Sequence, residues 1–314
     1  MIGLRKALQE YVAIRRALGT KMREPAVTLG RFVDFLQQEG AQVITTELAV
    51  HWALQPVQVQ PATWARRLSM VRKFAAWLSA FDPRTEVPPR HILQARHRRT
   101  KPYIYADEEI GRLMEEAGRL PSRSGLRAMT YSTLIGLLTA TGLRPGEALA
   151  LDVVDVDLKS GILAIRQTKF GKSRFVPLHK STRAALAEYA RRRDQICSQR
   201  PTCAFFISER GERLGGTSVR RTFARLSGAI GLRRRMAGRL VGRGPRLHDI
   251  RHSFATRRLV EWYRAGSDVR REMPKLATYL GHRSAASTYW YIEAVPELLQ
   301  LATERLAESR GGAR

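Results

Sequence analysis

A Leu-Gly-His opening at residues 280–282 is followed, nine residues beyond His282, by Tyr291. Gly281 lets the backbone turn freely. His282 then stands at the mouth of a helical run that carries the Tyr291 phenol about two and a half turns onward. Upstream, the chain holds Arg144 within Thr-Gly-Leu-Arg-Pro-Gly-Glu, Lys169 beside Phe-Gly-Lys, and His248 three residues before Arg251. A guanidinium offers fork-shaped donors to a phosphate and keeps its charge. A phenol is a usable nucleophile once a positioned group takes its proton. Together these residue types suit phosphoryl transfer to a tyrosine. The local alternative for residues 280–291 is a surface helix with a core histidine and packed aromatics.

The elements that must position these groups are legible from turns and periodicity. A long apolar helix from Tyr131 to Ala140 ends at Gly142, a plausible left-handed stop, and Pro145 can start the next helix. Arg144 is thereby pinned in a tight turn with Glu147 in the following first turn. An Arg–Glu pair at a helix junction would look the same for purely structural reasons. The period then changes to strands. Residues 154–158 alternate, 159–161 read as a turn, 162–165 form a short apolar run, and 174–178 return as an edge strand closed by Pro177. Lys169 lies at the tip of that second hairpin. Asp107 is read as the cap of a helix with an acidic first turn.

Charge narrows the partner. There are 55 Lys plus Arg against 28 Asp plus Glu, a net +27 over 314 residues, which makes sense against a polyanion. No apolar run is long enough for a membrane span, and the first twenty residues mix charges among apolar positions, unlike a signal peptide. Cys197 and Cys203, six apart, fit neither a metal knuckle nor a disulfide framework. A reducing compartment follows, and the cytoplasm beside the nucleoid is the expected location. His248 and His252 stand four apart, a spacing known from zinc sites. The residue after His248 is Asp249 instead of the motif's Glu, and no third ligand follows at a good spacing, so no metal and no cofactor is expected.

The length suggests two domains. The first reads as helical throughout to about Ala80, and its clearest stripe is Trp64, Leu68, Val71, Ala75 and Leu78. Arg66, Arg67 and Lys73 lie off that stripe and Arg72 at its edge, a face that could meet phosphates or simply solvent. Three prolines between 83 and 89 forbid a continuing helix. Residues 90–101 then carry Arg96, Arg98 and Arg99 with no acid. The division is 1–88 for a helical unit, 89–103 for a basic linker able to lie along a duplex, and 104–314 for the second domain.

With these motifs in this order, the chain resembles a tyrosine recombinase of the phage-integrase superfamily over nearly its whole length. The ending Tyr-Ile-Glu-Ala-Val-Pro-Glu-Leu-Leu is similar to a subgroup carried by transposons. The resemblance implies a mainly α fold with a small antiparallel β-sheet. A helical core-binding domain would precede a mixed α+β catalytic domain. It implies DNA cleavage by Tyr291 through a 3′-phosphotyrosyl intermediate, with Arg144, Arg251 and His282 on the phosphate. His248 would help remove the phenol proton, Lys169 would protonate the leaving 5′-oxygen, and Glu147 would orient the site. The nine-residue spacing selects Tyr291 over Tyr289.

The implied partners are double-stranded DNA, three further copies in a tetramer on paired sites, and sister recombinases of the same mobile element. Members with an arm-binding domain carry it ahead of the helical unit. Helical pattern begins here within the first few residues, so none is expected. Residues 297–307 read as a short amphipathic helix with Leu298, Leu301, Ala302 and Leu306 on one face. In the family such a helix is commonly lent to a neighbouring subunit. Two other readings share the sequence: a catalytically idle DNA-binding subunit, and a topoisomerase-like nicking–closing enzyme.

Overall fold

The computed structural model describes residues 3–93, 101–166, 173–198, 202–236, 239–240, 244–281, 291 and 298–303. The chain divides into two compact units, 1–100 and 101–314.

The first unit is built from four helices: α1 (Leu4–Ala17), α2 (Arg23–Gln38), α3 (Thr46–Leu54) and α4 (Pro61–Leu78). Their apolar stripes close on one core around Phe32, Trp52, Phe74 and Leu68. Thr45 caps α3, its hydroxyl accepting from the Leu48 N–H at 3.2 Å. Pro61 stands in the first turn of α4, where its missing N–H costs nothing. Of the expected α4 stripe, Leu68, Val71, Ala75 and Leu78 are buried. Trp64 is only half-buried, and its indole donates to the Pro56 carbonyl at 2.8 Å.

The second unit is mostly helical. Its elements run α5 (Asp107–Gly118), α6 (Leu126–Thr141), α7 (Pro145–Ala150), β1 (Val156–Asp157), β2 (Ile162–Ile165), β3 (Arg174–Pro177), α8 (Lys180–Ile196), α9 (Gly216–Ala229), β4 (Arg235–Met236), β5 (Arg239–Leu240), α10 (Asp249–Arg264) and α11 (Val269–Leu280). The first three strands form an antiparallel sheet in the order β1-β2-β3, with Leu163 opposite Val176 and Ile165 opposite Arg174. Leu163, Ile165 and Val176 face inward, onto a core with α6 and α8. The β4–β5 ribbon was not anticipated: its arginine-rich segment lacks the alternation that marks a half-buried strand. A separate apolar cluster joins α10 and α11 around Phe254, Leu259, Met273 and Leu280.

One reading of the sequence needs correction. Asp107 does not cap α5. It is the first helical residue and pairs with Arg257 at 2.7 Å, while Glu109 reaches back to accept the Ala106 N–H at 2.9 Å. Near the end of the chain, residues 298–303 are helical, and Leu298 is buried in this chain's own cluster with Leu280 and Tyr291. Leu301 and Ala302 are half-buried, and Leu306 lies outside the described residues.

Candidate active site

The site assembles where three segments distant in sequence meet: the α6–α7 turn, the N-terminal turns of α10, and the C-terminal end of α11. Gly142 ends α6 in the left-handed region at φ 60°. A Cβ there would sit 2.5 Å from the Phe254 ring, so close packing of this turn on α10 also requires glycine. Arg144 precedes Pro145 with extended backbone, and Glu147 folds back to accept its N–H at 3.1 Å and its Nη1 at 2.7 Å.

Arg251 is buried in α10 at 2% exposure. Its Nη1 donates to the Gly142 carbonyl at 2.9 Å and its Nη2 to the Leu280 carbonyl at 2.5 Å. Arg144 Nη2 donates to the next carbonyl, Gly281, at 2.9 Å. The last carbonyls of a helix lack intrahelical partners and carry partial negative charge, so the end of α11 draws both guanidiniums to one place. Each terminal nitrogen carries two N–H donors, and Arg251 also hydrogen-bonds the Tyr291 side chain. Burial, and then the Arg144 charge, push Arg251 down to about 10.

Tyr291 is buried at 2% exposure, and its hydroxyl lies 3.2 Å from His252 Nδ1. Burial raises the phenol above its ordinary pKa, and the charges of Arg251 and Arg144 act against that rise. His252 is pushed down to about 4, first by burial and then by His248. Its ring is therefore neutral near pH 7. His248 immediately precedes α10, with its ring edge-on to that of His252 at 5.0 Å between centroids. Although His248 opens to solvent on one side, desolvation by surrounding protein and the Arg251 charge hold its imidazole below its ordinary pKa. Asp249, also buried, accepts the Arg246 N–H at 2.8 Å and pairs with its guanidinium at 2.9 Å, which fixes the entry to α10.

Arg144, Glu147, His248, Arg251 and Tyr291 thus all lie in or beside this region, whereas Lys169 and His282 lie outside the described residues. Two participants escaped the sequence reading. His252 was weighed only as half of a metal pair, yet it holds the Tyr291 hydroxyl. Arg174, on β3, donates from Nη2 to Glu147 at 2.7 Å and from Nε to the Tyr279 carbonyl at 2.7 Å. Only its position just after the hairpin lysine could have drawn attention to it. Burial works to raise the Glu147 carboxyl, but Arg174 and Arg144 together hold it below the usual range. Among the described residues, no group of three or more His, Cys, Asp or Glu is placed to hold a metal ion, and no helix is long and apolar enough to cross a membrane.

The basic residues proposed for α4 are used unevenly. Arg66 pairs with Glu24 and is exposed, as is Lys73. Arg67 stacks 3.7 Å over the Trp52 ring and donates to the Trp52 carbonyl at 2.7 Å. Arg72 donates to the Pro88 and Pro89 carbonyls at 2.6 and 2.7 Å, tying α4 to the following segment. Arg96, Arg98 and Arg99 lie outside the described residues.

Comparison with known proteins places the chain in a family. The pattern described as the Phage integrase family matches residues 104–297. A relative in Sinorhizobium fredii described as an integrase/recombinase (y4rB) is 47% identical over 310 residues, covering 98% of each chain. The tyrosine recombinase XerD of Caulobacter vibrioides is 31% identical over 77% of this chain and 73% of its own. The Tn1549 transposon integrase, solved with transposon right end DNA, shares the fold at a TM-score of 0.62 and 16% identity, over 96% of this chain and 99% of its own. The chain belongs to the phage integrase family and is a tyrosine-type site-specific recombinase.

Proposed function

We propose that this chain cuts and rejoins double-stranded DNA for the movement of a mobile element, with Tyr291 as its nucleophile. The observation that carries this reading is the convergence of Arg144 and Arg251 on the end of α11, with the Tyr291 hydroxyl buried against the helix that holds Arg251. The phenol oxygen attacks the phosphorus and the 5′-oxygen leaves, giving a 3′-phosphotyrosyl ester and a free 5′-hydroxyl. Arg144 and Arg251 hold the non-bridging oxygens, aimed at the charge that develops in the transition state, and His282 adds a further donor. His248 accepts the phenol proton, and His252 positions the hydroxyl. Lys169 protonates the leaving oxygen. The ester keeps the energy of the broken bond, so a second 5′-hydroxyl can attack it and restore the strand without an external energy source.

In this reading residues 1–88 serve as the core-binding domain, 89–103 as a basic linker on the duplex, and 104–314 as the catalytic domain. Four copies assemble on two paired sites, alone or with sister recombinases of the same element. The tail after Tyr291 is the segment handed to a neighbouring copy in that assembly.

The test is incubation with nicked DNA carrying the element's end sequence. A denaturation-resistant adduct, lost in Tyr291→Phe, is expected, and strand exchange between two duplexes should accompany it. No adduct would mean an idle DNA-binding subunit. An adduct without exchange under any pairing of sites would mean a nicking–closing enzyme.

A further inference from the structure

Three consecutive carbonyls at the end of α11 each receive one arginine. Tyr279 takes Arg174 Nε at 2.7 Å, Leu280 takes Arg251 Nη2 at 2.5 Å, and Gly281 takes Arg144 Nη2 at 2.9 Å. Two of these arginines belong to the proposed phosphate clamp, and the third has a different character. The Arg174 side chain is 12% exposed against 30% for Arg144, and each of its three nitrogens already has an acceptor. Besides Tyr279, it serves both oxygens of Glu147, at 2.7 Å from Nη2 and 3.3 Å from Nη1.

We propose that Arg174 is a positioning residue for strand cleavage. From β3 it fixes Glu147, and through Glu147 the guanidinium of Arg144. It also fixes the Tyr279 carbonyl, and with it the chain reversal at Gly281 that leads to His282. This inference rests on the proposed function above.

The sharing of Glu147 explains why Arg174 matters to Arg144. At present Oε1 accepts Arg144 Nη1, while Oε2 is occupied by Arg174 Nη2 and the Arg144 backbone N–H. Arg144 is therefore tethered to the carboxylate through one terminal nitrogen, and its other reaches Gly281. With Arg174 removed, Oε2 keeps the Arg144 backbone N–H but gains an open acceptor position that can draw the guanidinium into a two-bond fork. That geometry is strong, and it would turn Arg144 away from a phosphate and toward Glu147. Arg174 thus holds Glu147 in check.

The Gly281 turn gives the same residue a second point of action. Gly281 is left-handed at φ 65°, and a Cβ there would lie 2.8 Å from Arg174 Nη1. Arg174 fills the space beside the reversal, so its loss leaves the turn without a wall. A lysine cannot replace it. One ammonium is a compact point charge, whereas the three nitrogens of Arg174 reach acceptors on two different segments at fixed angles.

The test compares wild type, Arg174→Gln and Arg174→Lys for single-turnover cleavage of nicked DNA, affinity for one duplex site, and thermal melting. Cleavage should fall on the order of 10²-fold in both variants, the scale for a misplaced catalytic group. Affinity should stay within about twofold, since binding rests on many other basic residues. Arg174→Lys keeps the charge beside Glu147, so it carries the comparison if Arg174→Gln melts below the assay temperature.

Two arms separate positioning from mere support. The loss in Arg174→Gln should add only in part to that in Glu147→Gln, because one of its two points of action runs through Glu147 to Arg144. A substrate with sulfur at the bridging 5′ position, whose leaving group needs no proton, should restore Lys169→Ala but not Arg174→Gln. Near wild-type cleavage by folded variants, fully additive losses, restoration by the sulfur substrate, or affinity falling in step with rate would each overturn the inference. A wild type that forms no adduct would instead overturn the proposed function.

Discussion

At the end of α11, arginines from three different elements crowd onto adjacent carbonyls, while on α4 the basic residues are spread along one helix, each with its own neighbour or with solvent. The chemistry of the side chain is the same in both regions, but its environment is not. In the second unit Arg251 is buried, its pKa is pushed down to about 10, and both terminal nitrogens are aimed by backbone carbonyls. In the first unit Arg66 and Lys73 are exposed, where charge is screened within about 10 Å at ordinary salt. A desolvated, aimed cation acts by its exact place, so no neighbour can substitute for it. A solvated cation acts by its contribution to a sum.

The contrast can be broken most forcefully in the pocket. Arg144→Ala and Arg251→Ala should each slow cleavage by about 10²-fold or more, the scale for losing one donor to a transition-state anion. Affinity for a single duplex site should barely change. Gel assays of adduct formation under single-turnover conditions, beside binding isotherms, check both halves. If either variant cleaves at nearly the wild-type rate, that arginine is structural.

The pocket should also be sensitive to pH in a way the helical surface is not. His252 is neutral in the fold at about 4, against roughly 6.5 in an unfolded chain. Between those values the unfolded state binds more protons, so this contribution to stability is fully present above pH 6.5 and is lost as pH falls toward 4. From pH 7.5 to 5 the loss is about 2 kcal/mol. It arises beside His248, Asp249, Arg246 and Arg251, and His248, lowered in the same direction, adds to it. Urea unfolding across that range should show the slope, and His252→Gln should flatten it.

A smaller effect separates two kinds of residue within α4. Arg67→Ala removes the stacking over Trp52 and a hydrogen bond, and should cost about 1–2 kcal/mol in denaturant unfolding. Lys73→Ala should leave stability within about 0.5 kcal/mol. The linker gives the smallest effect per residue. Replacing Arg96, Arg98 and Arg99 with Ala should flatten the log–log dependence of binding on salt by roughly one unit per lost phosphate contact. An unchanged slope would make the linker only a tether.

Much of the site could be read from local signals. Gly142 and Pro145 bracket Arg144 so tightly that the turn, the left-handed stop and the fold-back of Glu147 all follow from neighbouring residues. The three-stranded sheet was equally legible, because Gly161 and Pro177 punctuate short apolar runs. What could not be read depends on partners far away in the chain. Arg174 looks like any polar edge residue until Glu147 and Tyr279 are folded against it, 27 and 105 residues away. His252 meets Tyr291 across 39 residues. The same limit holds for Arg67 and Arg72, whose contacts with backbone carbonyls of their own unit lie 15 and 16 residues away. Asp107 failed for a subtler reason: the helix already starts at Asp107, so the cap position falls on Ala106, whose N–H Glu109 accepts from three residues on.

The central claim is that Tyr291, and no other phenol, takes the phosphate. The most direct measurement traps the covalent adduct on nicked DNA, digests protein and DNA, and fragments the peptide that contains both Tyr289 and Tyr291. The account predicts a phosphonucleotide on the Tyr291 oxygen in the wild type, and no adduct in Tyr291→Phe. A phosphonucleotide on Tyr289, or an adduct that persists in Tyr291→Phe, would contradict it.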